Sequence, residues 1–166
     1  MAEDSTDLAS VARGILDANL YATLGTADAD GNPWVAPVYF ATADYRSLYW
    51  VSALDTTHSR NLLVRPRVSL VVFDSRVPAY SGQAVYMEGE AVELSGAELA
   101  EGLSVYPGSP ERGASALSHD DVQPPSPYRL FRADVSAHSI NCPRPGGEPC
   151  AEHGKAFDHR TAVVIS

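Results

Sequence analysis

The sequence predicts a mostly β domain, a small antiparallel barrel or closed sheet with a few helices at its corners. At least five short apolar runs follow one another closely, and turn residues bound each run, as in such sheets. Helical spacing of apolar residues is confined to short segments between the runs. The composition, 45% apolar and 20% charged over 166 residues, is that of one folded domain. We expect a single domain over 1–166, with the barrel core at about 20–95 and 128–141 and an irregular segment at 142–166.

The N-terminal part of the chain predicts a helix followed by a hairpin. Apolar residues share one face of a helix over 5–20, which Ser5, Thr6 or Asp7 can cap. Strands at 21–26 and 34–41 flank a turn-forming Asp-Ala-Asp-Gly-Asn stretch and so form a hairpin. Pro37 indicates an edge, a bulge or the approach of a ligand, because proline cannot donate to a strand ladder. A third strand is expected at 48–53.

The rest of the chain predicts two more helices and further strands. Helices are expected at 56–64, which Pro66 ends, and at 95–106, which Ser95 and Glu98 open as a capping box. Strands are expected at 68–74, 83–94, 129–140 and 162–165. Gly89 marks a bulge or a bend in the second of these four. Residues 107–127 contain five prolines and predict a long loop, with one helical turn near 114–119.

The charge balance excludes some classes of partner. The net charge is −9, from 12 basic and 21 acidic residues, and such a surface repels nucleic-acid backbones and anionic membranes. Lys155 is the only lysine, so an anion site would depend on arginine, histidine and backbone N–H groups. Neither a signal peptide nor a membrane-spanning apolar run is apparent, and we expect a cytoplasmic protein that binds neither nucleic acid nor membrane.

One segment has the groups that a terminal phosphate needs. Residues 54–61 read Leu-Asp-Thr-Thr-His-Ser-Arg-Asn, where a strand ends and a helix begins, so unpaired N–H groups point outward there. Thr57, Ser59 and the neighbouring Thr56 add hydroxyl groups, Arg60 can grip an anion and His58 can assist. The alternative is an ordinary capped helix whose arginine pairs with an acid.

Two other features could line a pocket for a planar ring. Aromatic and small polar residues occupy 34–40 and 50–52, although aromatic residues in strands usually pack in the core. Gln83 follows a glycine at a strand start, and its amide could reach a polar ring edge or face solvent.

The cysteines and two late histidines form the pattern Cys142-x7-Cys150-x2-His153-x5-His159. These are zinc-ligand types, but the pattern lacks the C-x2-C spacing of a zinc knuckle. We therefore predict no metal site and expect two free thiols or a disulfide in a loop. Motifs of common hydrolases, zinc proteases and nucleotide-binding folds are also missing from the sequence.

Three runs taken together resemble the pyridoxamine 5′-phosphate oxidase-like FMN-binding split-barrel family. The first is 21–40, with its Asp-x-Asp-Gly turn and Pro-Val-Tyr-Phe strand. The second joins Leu-Tyr-Trp-Val-Ser at 48–52, His-Ser-Arg-Asn-Leu at 58–62 and Arg-Pro-Arg-Val-Ser-Leu at 65–70. The third is Gly-Gln-Ala-Val-Tyr-Met-Glu-Gly-Glu-Ala at 82–91. The similarity covers about 17–94 and continues more weakly at 128–138.

The resemblance implies a six-stranded antiparallel split barrel that forms a homodimer with FMN at the subunit interface. It implies an FMN-dependent oxidoreductase acting on a small molecule, with no catalytic residue apparent in this sequence. The alternatives are a member of the same fold that binds F420 or haem, and a flavin-binding or sensing module without turnover. The cofactor-binding residues that the resemblance implies are Trp34, Val35, Ala36, Pro37, Val38 and Tyr39 along the flavin, Val51, Ser52 and Gln83 at its polar atoms, and Thr57, His58, Ser59 and Arg60 at its phosphate.

The sequence also departs from the family pattern. His58 stands where many members have lysine, and Ser139 follows His138 where many have tryptophan. The sequence stops at Ser166 without the Arg/His segment that contacts pyridoxal phosphate in the family's true oxidase. We therefore do not expect oxidation of pyridoxamine 5′-phosphate itself.

Overall fold

A single antiparallel sheet dominates the computed structural model, which describes residues 7–79, 81–142, 144 and 147–165. Three helices flank the sheet: α1 (Leu8–Ala18), α2 (Thr57–Val64) and α3 (Gly96–Val105). The strands are β1 (Tyr21–Ala27), β2 (Pro33–Tyr39), β3 (Ser47–Ala53), β4 (Arg67–Phe73), β5 (Ala84–Glu93), β6 (Tyr128–Asn141) and β7 (Arg160–Val163). Short 3₁₀ turns occur at Pro110–Arg112 and His119–Val122, on either side of the single turn expected near 114–119. The prediction of a mostly β antiparallel fold is confirmed.

The strand order is β2-β1-β4-β5-β6-β3, and β7 pairs with the end of β6. The two outer strands come together at one bridge, Ala41 to Tyr49, so the barrel is split along this seam. β2 is therefore an edge strand, in agreement with the expectation from Pro37. The pairing of β5 with β6 shifts register between Glu88 and Gly89, which is the predicted irregularity.

The barrel interior is filled by alternate residues of each strand. On β1 and β4 the buried and exposed positions alternate, as expected for strands with one face on a core. Trp50 and Phe131 stack in the centre with ring centroids 5.8 Å apart, and both are almost fully buried. Leu16 of α1 packs against the same core, so the first helix closes one end of the barrel.

Two helix starts differ in how they are capped. Asp7 caps α1, its Oδ1 accepting from the N–H of Ala9 at 3.1 Å; Ser5 and Thr6, the other candidate caps, lie outside the described residues. The capping box expected at Ser95 and Glu98 is wrong, because Ser95 makes no side-chain cap bond. Glu98 instead accepts from Arg132 of β6 at 3.1 Å, a distant partner that short-range spacing does not reveal.

Candidate functional site

The start of α2 carries a compact group of hydroxyl and imidazole side chains. Thr56 is the N-cap; its Oγ1 accepts from the N–H of Ser59 at 3.4 Å and lies 2.8 Å from Ser59 Oγ. His58 Nε2 lies 2.8 Å from Ser52 Oγ and 3.2 Å from Thr56 Oγ1. Ser52, His58 and Ser59 are buried. The end of β3 and the first turn of α2 are thus joined by side-chain hydrogen bonds.

Burial determines the charge of His58, the titratable side chain among these hydroxyl and imidazole groups. Removal from water lowers the pKa of His58, because the positive imidazolium loses hydration there. The ring is therefore neutral at pH 7 and acts as a hydrogen-bonding partner of Ser52 rather than as a cation. Of the four residues predicted at the phosphate, His58 and Ser59 face inward. Thr57 is half-buried and Arg60 is exposed, with its guanidinium against the backbone carbonyl of Asp55.

The six residues of β2 that were predicted to lie along the flavin differ in burial, because alternate side chains of a strand face opposite sides of the sheet. Val38 is 5% exposed and its side chain packs in the core, so a contact with a cofactor there would come from its backbone. Tyr39 is engaged in packing: its hydroxyl donates to Pro107 O at 2.7 Å, and its ring lies edge-on to Tyr106. Ala36 is half-buried. The remaining three, Trp34, Val35 and Pro37, are exposed.

Val35 and Gln83 lie on one side of the sheet, which we call the outer face and define by Thr23, Val35, Val71, Gln83 and Tyr86. Two shallow grooves on this face have volumes of about 200 and 340 Å³, and Val71 and Tyr86 line both. The first contains Val35 and the second contains Gln83. Gln83 Oε1 is buried and has no hydrogen-bond partner among the described residues, so the residue brings an unmatched acceptor to the wall of the second groove.

Two other predicted residues, Val51 and Trp34, line two further grooves, the second of which also includes Val35. Val51 lines a groove of about 610 Å³ with Tyr106 and Tyr128, on the opposite side of β3 from Ser52. Trp34 lines a groove of about 570 Å³ where β1 and β2 meet the end of α2. Within one chain, then, the predicted residues form several clusters and do not line a single pocket.

The groove beside Trp34 contains two arginines that the sequence analysis did not select as site residues. Arg65 and Arg67 line it together with Trp34 and Glu90. Arg65 Nη2 donates to Ala29 O at 2.9 Å, and Arg67 lies 3.9 Å from a carboxylate oxygen of Glu88. The Arg-Pro-Arg sequence after α2 was the available signal, since proline ends the helix and leaves one arginine on each side of the junction between α2 and β4.

A protein-family model matches most of this chain. The model for pyridoxamine 5′-phosphate oxidase matches residues 9–142, most of the chain. The chain belongs to this family. A search of curated protein sequences found no match.

Solved structures show that this family fold recurs with very different sequences. The chain aligns with a haem binding protein from Mycobacterium smegmatis at 18% identity and TM-score 0.66, covering 98% of this chain and 60% of that one. It aligns with a FAD-binding protein from Mesorhizobium loti at 23% identity and TM-score 0.56, covering 79% and 91%. A structure described as F420 reductase aligns at 20% identity and TM-score 0.52, covering 76% and 94%. These likenesses establish the split-barrel fold of the family. No described helix of this chain is long and apolar enough to span a bilayer.

Proposed function

We propose that this pyridoxamine 5′-phosphate oxidase family member is an FMN-dependent oxidoreductase of small molecules that acts as a homodimer. The observation that carries the proposal is the start of α2, where Ser52, Thr56 and His58 hold a helix N-terminus in place. The first N–H groups of a helix have no partner inside it and favour an anion. Thr57 and Arg60 are the side chains there that can reach a phosphate from solvent.

The unmatched acceptor of Gln83 supports a flavin in particular. A flavin ring has a polar edge with an N–H donor, and a buried amide oxygen without a partner gains a hydrogen bond by meeting it. Val35 presents an apolar surface in the adjoining groove. These residues would bind and orient the ring, while the flavin would supply the two-electron chemistry.

The outer face also supports a dimer. Val35 is 66% exposed and Phe73 is 48% exposed, and both line or adjoin the grooves of this face. Exposed apolar side chains on one face favour a protein interface when they belong to a contiguous patch. The division of the predicted site into several clusters within one chain fits a site that two chains complete.

The neutral state of His58 shapes how the phosphate is held. A buried neutral imidazole offers no net charge, so the attraction for the phosphate comes from Arg60 and the helix N-terminus. We therefore expect moderate FMN affinity. The role of His58 and Ser52 is positional, because their hydrogen bond connects the end of β3 to the first turn of α2.

The test is a spectrum followed by a titration. Purified protein should carry flavin absorption or acquire it on adding FMN, and NAD(P)H or another donor should bleach the bands. A Soret band would indicate haem, and colourless protein that reduces substrates only with added F420 would indicate that cofactor. Bound flavin that no donor reduces would indicate a binding or sensing module.

Arg60→Ala should weaken FMN binding by about 1.5–3 kcal/mol, the range for a hydrogen bond to a charged group. Quenching of flavin fluorescence during titration measures this. Arg46→Ala serves as the matched control, because Arg46 is an exposed arginine on the turn before β3. Equal dissociation constants for the Arg60 variant and the parent would remove Arg60 from the site.

A further inference from the structure

Four side chains in the loop between β6 and β7 bring metal-ligand atoms together. Cys142 follows β6 directly and His159 precedes β7 directly, while Cys150 and His153 lie in a turn between them. One sulfur or nitrogen of each lies within 4.8 Å of all the others. Both cysteines are buried, and neither is in a disulfide within the described part of the chain.

The backbone explains why the four meet. β6 and β7 pair antiparallel up to Asn141 and Arg160, and the N–H of Cys142 donates to His159 O at 2.9 Å, which continues the ladder by one step. The N–H of Cys150 donates to Lys155 O at 2.9 Å, closing a turn that holds His153. The turn therefore presents its cysteine and histidine toward the end of the two strands.

The separations are close to those of a tetrahedral zinc site. His153 Nδ1 lies 3.6 Å from Cys142 Sγ and 3.5 Å from Cys150 Sγ. Zinc–ligand bonds of about 2.3 Å to sulfur and 2.0–2.1 Å to nitrogen give about 3.6 Å between sulfur and nitrogen at tetrahedral angles. The two histidine nitrogens are 3.3 Å apart, against about 3.3 Å for the same geometry. The sulfurs, 2.9 Å apart, would separate by somewhat less than 1 Å to reach their tetrahedral distance.

The outer nitrogens of the imidazoles point to the same conclusion. His159 Nδ1 lies 2.9 Å from Phe157 O, and a carbonyl only accepts, so this nitrogen carries the proton. His159 Nε2 therefore directs a lone pair into the cluster. On His153 the outer Nε2 lies 3.7 Å from a carboxylate oxygen of Glu152, leaving Nδ1 directed inward. An acceptor hydrogen-bonded behind a ligating imidazole, as Phe157 O is behind His159, is the usual arrangement at zinc. The Glu152 carboxylate lies on the corresponding side of His153 but beyond hydrogen-bond distance.

We propose that Cys142, Cys150, His153 and His159 bind one Zn²⁺ per chain. Binding displaces one proton from each thiol, so two protons leave as the ion enters and both imidazoles remain neutral. Four protein ligands leave no open position, which assigns the ion a structural role. The sequence-based prediction of no metal site rested on the missing knuckle spacing, and the strand pairing supplies the convergence that the spacing does not.

The ion would fasten β7 to the barrel. Arg160 of β7 lies over the ring of Tyr86, 4.5 Å from its centroid, and Ile165 is buried in the main core at 3% exposure. Both contacts follow His159 in the chain. Among the described residues of this loop, Arg144 donates to Ala156 O and pairs with Asp158, and the ion would add a second connection between the end of β6 and the start of β7.

Elemental analysis tests the proposal directly. Full-length protein without a histidine tag is purified with a reductant that does not chelate metals, and zinc and protein are quantified together. We expect one zinc per chain, its loss in a Cys142→Ser, Cys150→Ser variant, and its retention in His119→Ala, since His119 is exposed on a different loop. Zinc well below one per chain, with free thiols or a disulfide, overturns the proposal. Zinc retained in the double-serine variant also overturns it.

A second measurement does not depend on a variant that folds. Lys155 is the only lysine of the chain and lies in the loop, so a lysine-specific protease can cut at one site. We expect the zinc-loaded protein to resist cleavage and the chelated protein to be cut severalfold faster, with protection restored by adding Zn²⁺. Equal rates with and without chelator would exclude a metal that orders this loop. Neither experiment involves FMN, so their outcome is independent of the proposed oxidoreductase activity.

Discussion

Two buried histidines, His58 and His138, couple the protonation of single side chains to the stability of the fold. His58 bonds to Ser52, and His138 Nε2 donates to the backbone carbonyl of Tyr45 at 2.8 Å. Burial lowers the pKa of both rings, although the bond to Tyr45 partly opposes the shift for His138. Tyr45 has a left-handed backbone with φ of 59°, so His138 also stabilises an unfavourable turn.

These histidines predict acid destabilisation. Above about pH 6.5 they are neutral in both the folded and the unfolded chain and add no pH dependence. Below it the unfolded chain takes up protons that the folded chain resists, so the free energy of unfolding falls as the pH falls. Denaturant unfolding between pH 5 and 8 should show this slope, and His58→Asn and His138→Asn should each make it shallower. Curves parallel to that of the parent would assign the slope to other groups.

At the scale of the elements, β5 depends on a glycine at its register shift. A Cβ on Gly89 would lie 2.3 Å from the carbonyl oxygen of Asp134 on β6. Neither backbone can move without breaking the longest strand pair of the sheet. Gly89→Ala should therefore destabilise the protein by about 1–3 kcal/mol or more, the range for overpacking.

Gly14→Ala provides the matched comparison for this prediction. Gly14 lies inside α1, and a Cβ there meets nothing within 4 Å. Alanine in an open helical position should stabilise by about 0.5–1 kcal/mol. Chemical denaturation of both variants measures whether the free energy of unfolding falls for Gly89→Ala and rises for Gly14→Ala. A Gly89→Ala protein as stable as the parent would mean that the bulge can relax.

Helices and strands could be predicted from the sequence where contacts between residues close in the chain determine them. Alternation of apolar residues predicts β4 and β5 well, because each strand buries one face. The capping box predicted at Ser95 does not form, and the Glu98 carboxylate instead accepts a hydrogen bond from Arg132, which is distant in the sequence. The sequence alone could not divide residues 34–39 into core and surface positions, because that division depends on the strand register, which places the Val38 side chain in the core. The Cys142 and His159 ligand atoms meet only through the pairing of β6 with β7, which no spacing rule contains.

For the whole molecule, the proposed dimer predicts a mass of twice the 17.7 kDa of one chain. Light scattering after size exclusion at micromolar concentration measures it. Val35→Glu should favour the monomer and weaken FMN, because a carboxylate would be buried in the interface. Val92→Glu is the control: Val92 is also an exposed strand valine, but it lies opposite Arg132. A parent protein that runs as a monomer would contradict the dimer.

The charge distribution bears on the substrate. Pyridoxamine 5′-phosphate needs a second anion site beside that of the flavin, and the chain has net charge −9. Arg129 lies 3.2 Å from a carboxylate of Glu93, and Arg132 lies 2.7 Å from one of Asp134, so acids already pair with both arginines of β6. In the groove beside Trp34, Arg65 donates to Ala29 O and Arg67 lies 3.9 Å from Glu88, so these two arginines also have partners. We therefore expect negligible oxidation of this substrate with FMN saturating. Hydrogen peroxide released in step with pyridoxal 5′-phosphate would refute this.

The position of β3 in the sheet governs when the molecule can be completed during synthesis. β3 pairs with β6, and its Trp50 faces Phe131, a residue 81 positions later in the chain. While the ribosome extends the chain through this interval, β3 lacks its ladder partner β6 and Trp50 lacks its stacking partner Phe131. Closing such a long loop makes folding slow. The nascent chain thus carries β3 without its partner strand until β6 has emerged, and aggregation competes with folding over that interval.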